Sequence, residues 1–340
     1  MREFLKRKNI SLSLKTYLVD ASSFMALGLF STLLIGTILN TIGGRLGIKF
    51  LTGVVWEWAA SMTGPAIGVA VAYGLKAPHM ALFASTITGG LGMKLGGPIG
   101  AYIGAVVGAE FGKLVSKETK IDIIVTPAAT ILTGVFVATL AGPALSKLMT
   151  GLGAFVMYAT ELHPFLMGIV VSATVGIVLT LPISSAALCM TIGLSGIAAG
   201  AATVGCSAQM IGFAVMSFRE NRWGGLVAQG LGTSMLQIGN IAKNWKIWIP
   251  PTLASAVLGP VATLLYRYEN VPIGAGMGTS GLVGQFCTIT RMTELGRGGI
   301  SLYTGVLTLH FLLPALITLF FAEIMRKKGW IKQGDLKLDL

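Results

Sequence analysis

In the stretch ELHPFLMG, a carboxylate (Glu161) and an imidazole (His163) stand two residues apart, just ahead of Pro164, in an otherwise apolar region. Ionisable side chains are costly within a bilayer, so each is a functional candidate by default. Proline disfavours regular helix immediately before it. Non-helical backbone at that point exposes amides and carbonyls as further ligands. Such a group could hydrogen-bond a polyhydroxyl compound or relay a proton. The plain structural alternative is a hydrated turn at a helix start.

Three uncharged segments extend the candidate set. GAGMGTSGLVGQ (274–285) has the glycine density of a phosphate cradle but lacks the lysine that a Walker-type loop requires. It reads instead as an unwound or re-entrant element, in which Gly276 and Gly278 allow close backbone approach and Thr279, Ser280 and Gln285 supply hydrogen bonds. LTLPISSAAL (179–188) contributes Ser184 and Ser185, and GAATVGCSAQMIGF (200–213) contributes Thr203, Ser207 and Gln209. Hydroxyls and amides without charge suit a neutral, hydrogen-bonding ligand better than a metal or an anion. Gln285 is expected to share one cavity with Ser184 and Gln209. Singly, each of these groups could equally bridge two packed helices.

Other ionisable positions have simpler readings. Glu110 can pair with Lys113, three residues on and near a helix end. His310, in the last apolar helix, is expected to be satisfied by a hydrogen bond to a neighbouring backbone carbonyl. Cys189, Cys206 and Cys287 are too few and too scattered for a disulfide framework or metal site. No Ser-His-Asp set, metal-ligand spacing or nucleotide fingerprint occurs, so neither a catalytic centre nor a cofactor is expected.

The elements that must position these groups follow from composition. The chain has 340 residues, 54% of them hydrophobic and only 11% charged, against roughly 25% charged in a soluble domain. Its 46 glycines are about twice the usual ~7% share, and small residues let helices pack closely in lipid. The fold class implied is all-α: a polytopic transmembrane helical bundle with about ten spanning helices and some re-entrant or broken segments. The net charge of +12 does not point to nucleic acid. Basic residues gather at both ends (Arg2, Lys6, Arg7, Lys8 and Lys15; Arg326, Lys327, Lys328, Lys332 and Lys337) and in short loops, which implies two cytoplasmic termini. No cleavable signal peptide is apparent, and the basic start at 2–17 reads as lying on the inner membrane surface.

The whole of 1–340 reads as one membrane domain, with two related halves, 20–146 and 164–290, and a final helix at 301–325. KETKIDIIVTPAATI (117–131) resembles KNWKIWIPPTLASA (243–256), and each is followed by a helix containing Gly-Pro. Transporters are often built from two such repeats with substrate bound between them. Gly100, Gly104, Gly108 and Gly112 recur every fourth residue, giving one helix a bare face for a tight crossing.

At HPFLMGIVVSATVGIVLTLPISSAAL, GAATVGCSAQMIGFAVMSFREN, GAGMGTSGLVGQ and GAEFGKLVSKETKIDIIVTPA, the chain resembles phosphotransferase-system enzyme IIC membrane proteins of the PfoR-like (perfringolysin regulator-like) branch. The resemblance runs over nearly the whole chain. It implies a multi-pass protein of the bacterial cell membrane, usually a homodimer, that passes a sugar to a partner enzyme IIB for phosphorylation. In that family a carboxylate and a histidine are implicated beside the sugar hydroxyls, and Glu161 and His163 match by chemical type. The tails carry no Cys or His, so a phosphoryl donor is expected to act in trans.

Together these readings give a carrier for a neutral sugar or polyol, working by alternating access between two structural halves. The rivals are a membrane sensor that binds a small molecule without moving it and a proton-coupled carrier using Glu161 and His163. Short tails and loops offer a sensor little output surface. The topology is open to test by cysteine accessibility: probes at residues 5 and 335 should both label from the cytoplasmic side, and labelling from opposite sides would exclude an even number of crossings.

Overall fold

A computed structural model describes residues 2–11, 13 and 15–338, and the side chains of Arg2 and Lys6 fall outside the described set. The described residues are overwhelmingly helical, with one isolated β-bridge between Gly196 and Asn270. Six helices among them are long and apolar enough to cross a membrane. The chain divides into two compact units, Met1–Leu148 and Met149–Leu340.

In the first unit a short helix α1 (Arg2–Arg7) precedes α2 (Lys15–Leu46). α2 folds back on α3 (49–74, interrupted at Met62). Small residues set that pairing: Gly36 faces Ala59, and Gly28 faces Ala66 and Ile67. The apolar run His79–Val115 then behaves as two helices. Gly96 (φ −147°, ψ 21°) and Gly97 (φ 61°, ψ −154°) leave helical geometry, and Pro98 starts the return. The left-handed φ of Gly97 is open to glycine at little cost. The arms α4 (79–95) and α5 (98–115) run antiparallel, with Gly92 against Gly100 and Thr88 against Gly104 and Gly108. Each arm is roughly 26 Å long at 1.5 Å per residue, close to the ~30 Å of a hydrocarbon core.

The glycine stripe of α5 is buried throughout. A side chain at Gly108 would meet the carbonyl of Thr130 at 2.8 Å, and one at Gly104 would meet the carbonyl of Thr88 at 3.0 Å. Thr130 belongs to α6 (Asp122–Thr160), which stays helical through Pro127 and Pro143. It runs past the apolar segment expected to end at 146, because residues 147–160 are themselves helix-compatible. Leu132, Phe136 and Leu140, each more than three-fifths exposed, form a stripe at four-residue spacing on its outer face, the surface that lipid would cover.

The second unit is built around α9 (Gly196–Met216). In its apolar window 83% of residues are buried, against 56% or less in the other five candidate spans. Before it come α7 (Pro164–Thr180) and the short α8 (Ser185–Thr191). After it come α10 (Phe218–Val227), α11 (Ile238–Lys243) and α12 (Trp245–Tyr266). The chain then returns through the Gly196–Asn270 bridge to α13 (Pro272–Ala275), α14 (Val283–Glu294) and α15 (Ile300–Lys327). α7, α9 and α12 meet through glycine: Gly176 lies against Gly205, Gly205 against the backbone of Ser172, and Gly168 against Gly259. Hydroxyls bridge the same junction. Ser172 Oγ donates to the carbonyl of Ser255 at 2.5 Å, and Ser255 Oγ donates to that of Gly205 at 3.0 Å.

Gly108→Leu should therefore force α5 from α4 and α6. Overpacking costs ~1–3 kcal/mol or more, so loss of folded protein in detergent is the expected outcome. A purified variant with unchanged melting temperature would show that the stripe faces lipid or solvent.

Candidate functional site

Two faces of α9 carry polar side chains, because Ser207 and Gln209, two residues apart, point in nearly opposite directions on a helix. The Gln209 face is fully engaged. Gln209 Nε2 donates to Thr252 Oγ1 at 3.0 Å, while its Oε1 accepts from Trp248 Nε1 at 3.1 Å and Thr180 Oγ1 at 3.3 Å. Thr180 also pairs with Ser234 at 2.7 Å. This is a brace tying α7 and α12 to α9, with no amide atom left over.

The opposite face presents Thr203 and Ser207, one turn apart. Asn270 clamps the first: its Nδ2 lies 2.7 Å from Thr203 Oγ1, 2.9 Å from Thr288 Oγ1 and 3.1 Å from the carbonyl of Gly284. Gln285, from the first turn of α14, takes the second. Its Nε2 lies 3.3 Å from Ser207 Oγ and 3.0 Å from His310 Nδ1 on α15. With Nδ1 accepting from that amide, a neutral imidazole carries its proton on Nε2. That nitrogen has no partner among the described residues, and neither do Gln285 Oε1 and Ser280 Oγ. All three residues are more than nine-tenths buried. Buried polar atoms are almost always paired, and leaving one unmade costs ~1–3 kcal/mol.

The segment carrying Ser280 is not regular α-helix, and Ser280–Leu282 forms only a short 3-10 turn. Residues 276–279 form turns, Gly278 (φ 53°) and Gly281 (φ 52°) are left-handed, and Leu282 (φ 59°) shares that strained conformation. Gly276 rests on the backbone of Ser185 and Ala186, while Gly278 rests on Cys206 and Ser207 at under 3 Å from where a Cβ would stand. Alanine at Gly278 would meet both strain and contact. Two hydroxyls fasten the segment: Ser185 Oγ donates to the carbonyl of Gly276 at 2.7 Å, and Thr279 Oγ1 donates to that of Gly230 at 2.5 Å.

The expected convergence of Gln285, Ser184 and Gln209 on one cavity does not occur. Gln209 belongs to the brace on the far face of α9, and Ser184 caps α8 by accepting from the Ala187 amide at 3.2 Å. Ser185 and Thr279 anchor the glycine segment, which leaves Ser280 and Gln285 of the expected set beside a histidine assigned to structure. Glu161 and His163 are exposed, and the His163 ring lies 3.5 Å from the Phe165 amide at the start of α7. Glu110 and Lys113 form the expected pair at 3.0 Å, and Lys113 also donates to the carbonyl of Leu75 at 2.9 Å. Asn270, between two apolar stretches and two residues before Pro272, enters the site through the tertiary structure alone. The cue for it in the sequence is a polar amide close to a proline.

The site contains no carboxylate, and among the described residues no group of three His, Cys, Asp or Glu side chains could hold a metal ion. Its chemistry is hydrogen bonding from an amide, a hydroxyl and an imidazole, in a unit whose helices are apolar outside. Neither a curated relative nor a solved structure matches the chain. A family model, that of the phosphotransferase system EIIC proteins, matches residues 19–338, the whole of both glycine junctions and of the polar face of α9. The chain belongs to the phosphotransferase system EIIC family.

Proposed function

We propose that this chain is the translocating subunit for a neutral sugar or polyol, of the PfoR-like branch of its family, working as a homodimer with the phosphoryl donor supplied in trans by an enzyme IIB. The observation that carries the ligand class is the trio of buried, uncharged and unpartnered polar atoms on Ser280, Gln285 and His310. One acceptor, one N–H donor and one hydroxyl match what a sugar hydroxyl offers, since it both gives and receives a hydrogen bond. A charged solute would leave its charge without a counter-ion there, at high cost.

Access to such a site requires movement of the 276–282 segment. Gly278 rests on α9, while the two hydroxyl bonds tie the segment to Ser185 of α8 and to the carbonyl of Gly230, a fastening that is local and reversible. In this reading, movement of that segment accompanies alternating access between halves 20–146 and 164–290. Glu161 and His163, in the exposed turn before α7, form the second set of proposed contacts.

The two sets separate by mutation. Ser280→Ala removes a hydroxyl with no partner, so the unliganded protein should melt at the same temperature or higher. Its affinity for a sugar that stabilises the wild type should fall by roughly two- to tenfold, the worth of one hydrogen bond. Glu161→Gln and His163→Ala should lower affinity only where the exposed turn contributes. If a sugar binds the wild type and Ser280→Ala and Gln285→Met both bind it equally well, the site is not at the glycine segment. Loss confined to the Glu161 and His163 variants would move it to the turn.

A further inference from the structure

In the first unit the ends of several helices border an open hollow of about 460 Å³, within the ~300–1,000 Å³ typical of small-ligand pockets. Five cationic side chains line it, Arg7, Lys8, Lys76, Lys113 and Lys117, against one carboxylate, Glu118. Glu118 is shared by Lys8 at 2.5 Å and Arg7 at 2.8 Å. The Lys8 hydrogen bond, with help from Arg7, holds its carboxyl below the usual range, so it stays ionised and is spent on those two cations. Lys113 is 2% exposed and paired to Glu110. Lys76 and Lys117 are exposed, and neither forms a salt bridge among the described residues. The Lys117 amide, by contrast, donates to Asp122 at 2.7 Å.

The backbone supplies a second, independent observation. Six non-glycine residues have positive φ among those described, and three of them, Asn9 (54°), Lys76 (56°) and Lys117 (62°), line this one hollow. Lys76 and Lys117 each follow the end of a helix, α3 and α5. At that position a left-handed residue is usually glycine, which adopts it without a Cβ penalty. A chain with 46 glycines nevertheless has lysine at both. Non-glycine residues held in left-handed geometry cluster where a side chain is needed. Both left-handed lysines therefore line one basic hollow.

We propose that this hollow binds a phosphate-bearing anion, with Lys76 and Lys117 as the principal ligands and Arg7 and Lys8 completing the field. The phosphate could belong to an anionic lipid headgroup, since basic pockets at helix ends near the cytoplasmic surface recognise such groups, or to a soluble phosphate compound.

The test uses the full chain and the double variant Lys76→Gly with Lys117→Gly, which relieves left-handed strain and should not lower the melting temperature of the unliganded protein. Lys76→Gln with Lys117→Gln is the companion, keeping the side-chain stems should the glycines loosen the helix ends. Two probes are compared by thermal shift: inorganic phosphate in detergent, and phosphatidylcholine vesicles with or without phosphatidylglycerol. Stabilisation of the wild type by phosphatidylglycerol alone identifies a lipid site, and stabilisation by inorganic phosphate identifies a soluble one. In either case both double variants should lose roughly tenfold or more in apparent affinity. A wild type that responds to neither probe, or variants that respond as it does, would overturn the proposal.

Discussion

Close contact between backbones, made possible by glycine, is the constraint on which each unit depends. Helices in lipid gain little from burying apolar surface against one another, because the tails they leave are as apolar as the side chains they meet. What remains is dispersion and hydrogen bonding at short range. Both need backbones nearer than a side chain allows. Gly104, Gly108 and Gly134 around Thr88 serve this in the first unit, and Gly168, Gly176, Gly205 and Gly259 serve it in the second. Once α7, α9 and α12 are that close, Ser172 and Ser255 can reach carbonyls on neighbouring helices. Those bonds are possible only because the glycines are there.

The same closeness governs the polar interior. A charge enclosed by apolar helices would need a counter-charge and further hydrogen bonds. The second unit avoids that requirement by using amides and hydroxyls. Gln209 ties three helices with every amide atom partnered, and Asn270 holds the return after α12 against Thr203 and α14. A parallel arrangement sits near the chain's end: Gln237 Nε2 donates to Gln229 Oε1 at 2.8 Å and Asn240 Nδ2 to Gln237 Oε1 at 2.8 Å, while Leu336 and Lys337 offer carbonyls to Gln237 and Asn240. Against this pairing, the unpartnered atoms of Ser280, Gln285 and His310 stand together as a local cluster, with Thr318 Oγ1 a further single orphan in the same unit.

Much of this organisation was legible in the sequence, and for identifiable reasons. Low charge with abundant glycine marks helices packed in lipid whatever their order in space. A four-residue glycine period fixes one face of α5. Three glycines and two hydroxyls between apolar runs mark a break at 276–282, because helix propensity and turn preference agree there. The pairing of Glu110 with Lys113 follows from three-residue spacing alone. Each of these inferences uses contacts within a few residues along the chain.

Tertiary structure decided the rest, because partners distant in sequence cannot be read from spacing. Whether a buried amide is a brace or an open site depends on what faces it. Gln209 and Gln285 look alike in the sequence, yet Trp248, Thr252 and Thr180 complete the first, while Ser207 and His310 leave the second with a free oxygen. His310 became part of the candidate site only when α15 was laid against α9. Lys76 and Lys117, forty-odd residues apart along the chain by simple numbering, became one basic hollow only when α4 and α5 folded back at Gly96 and Gly97. Sequence determined which residues could bond, bend or pack; the fold determined which of them were left with something still to bind.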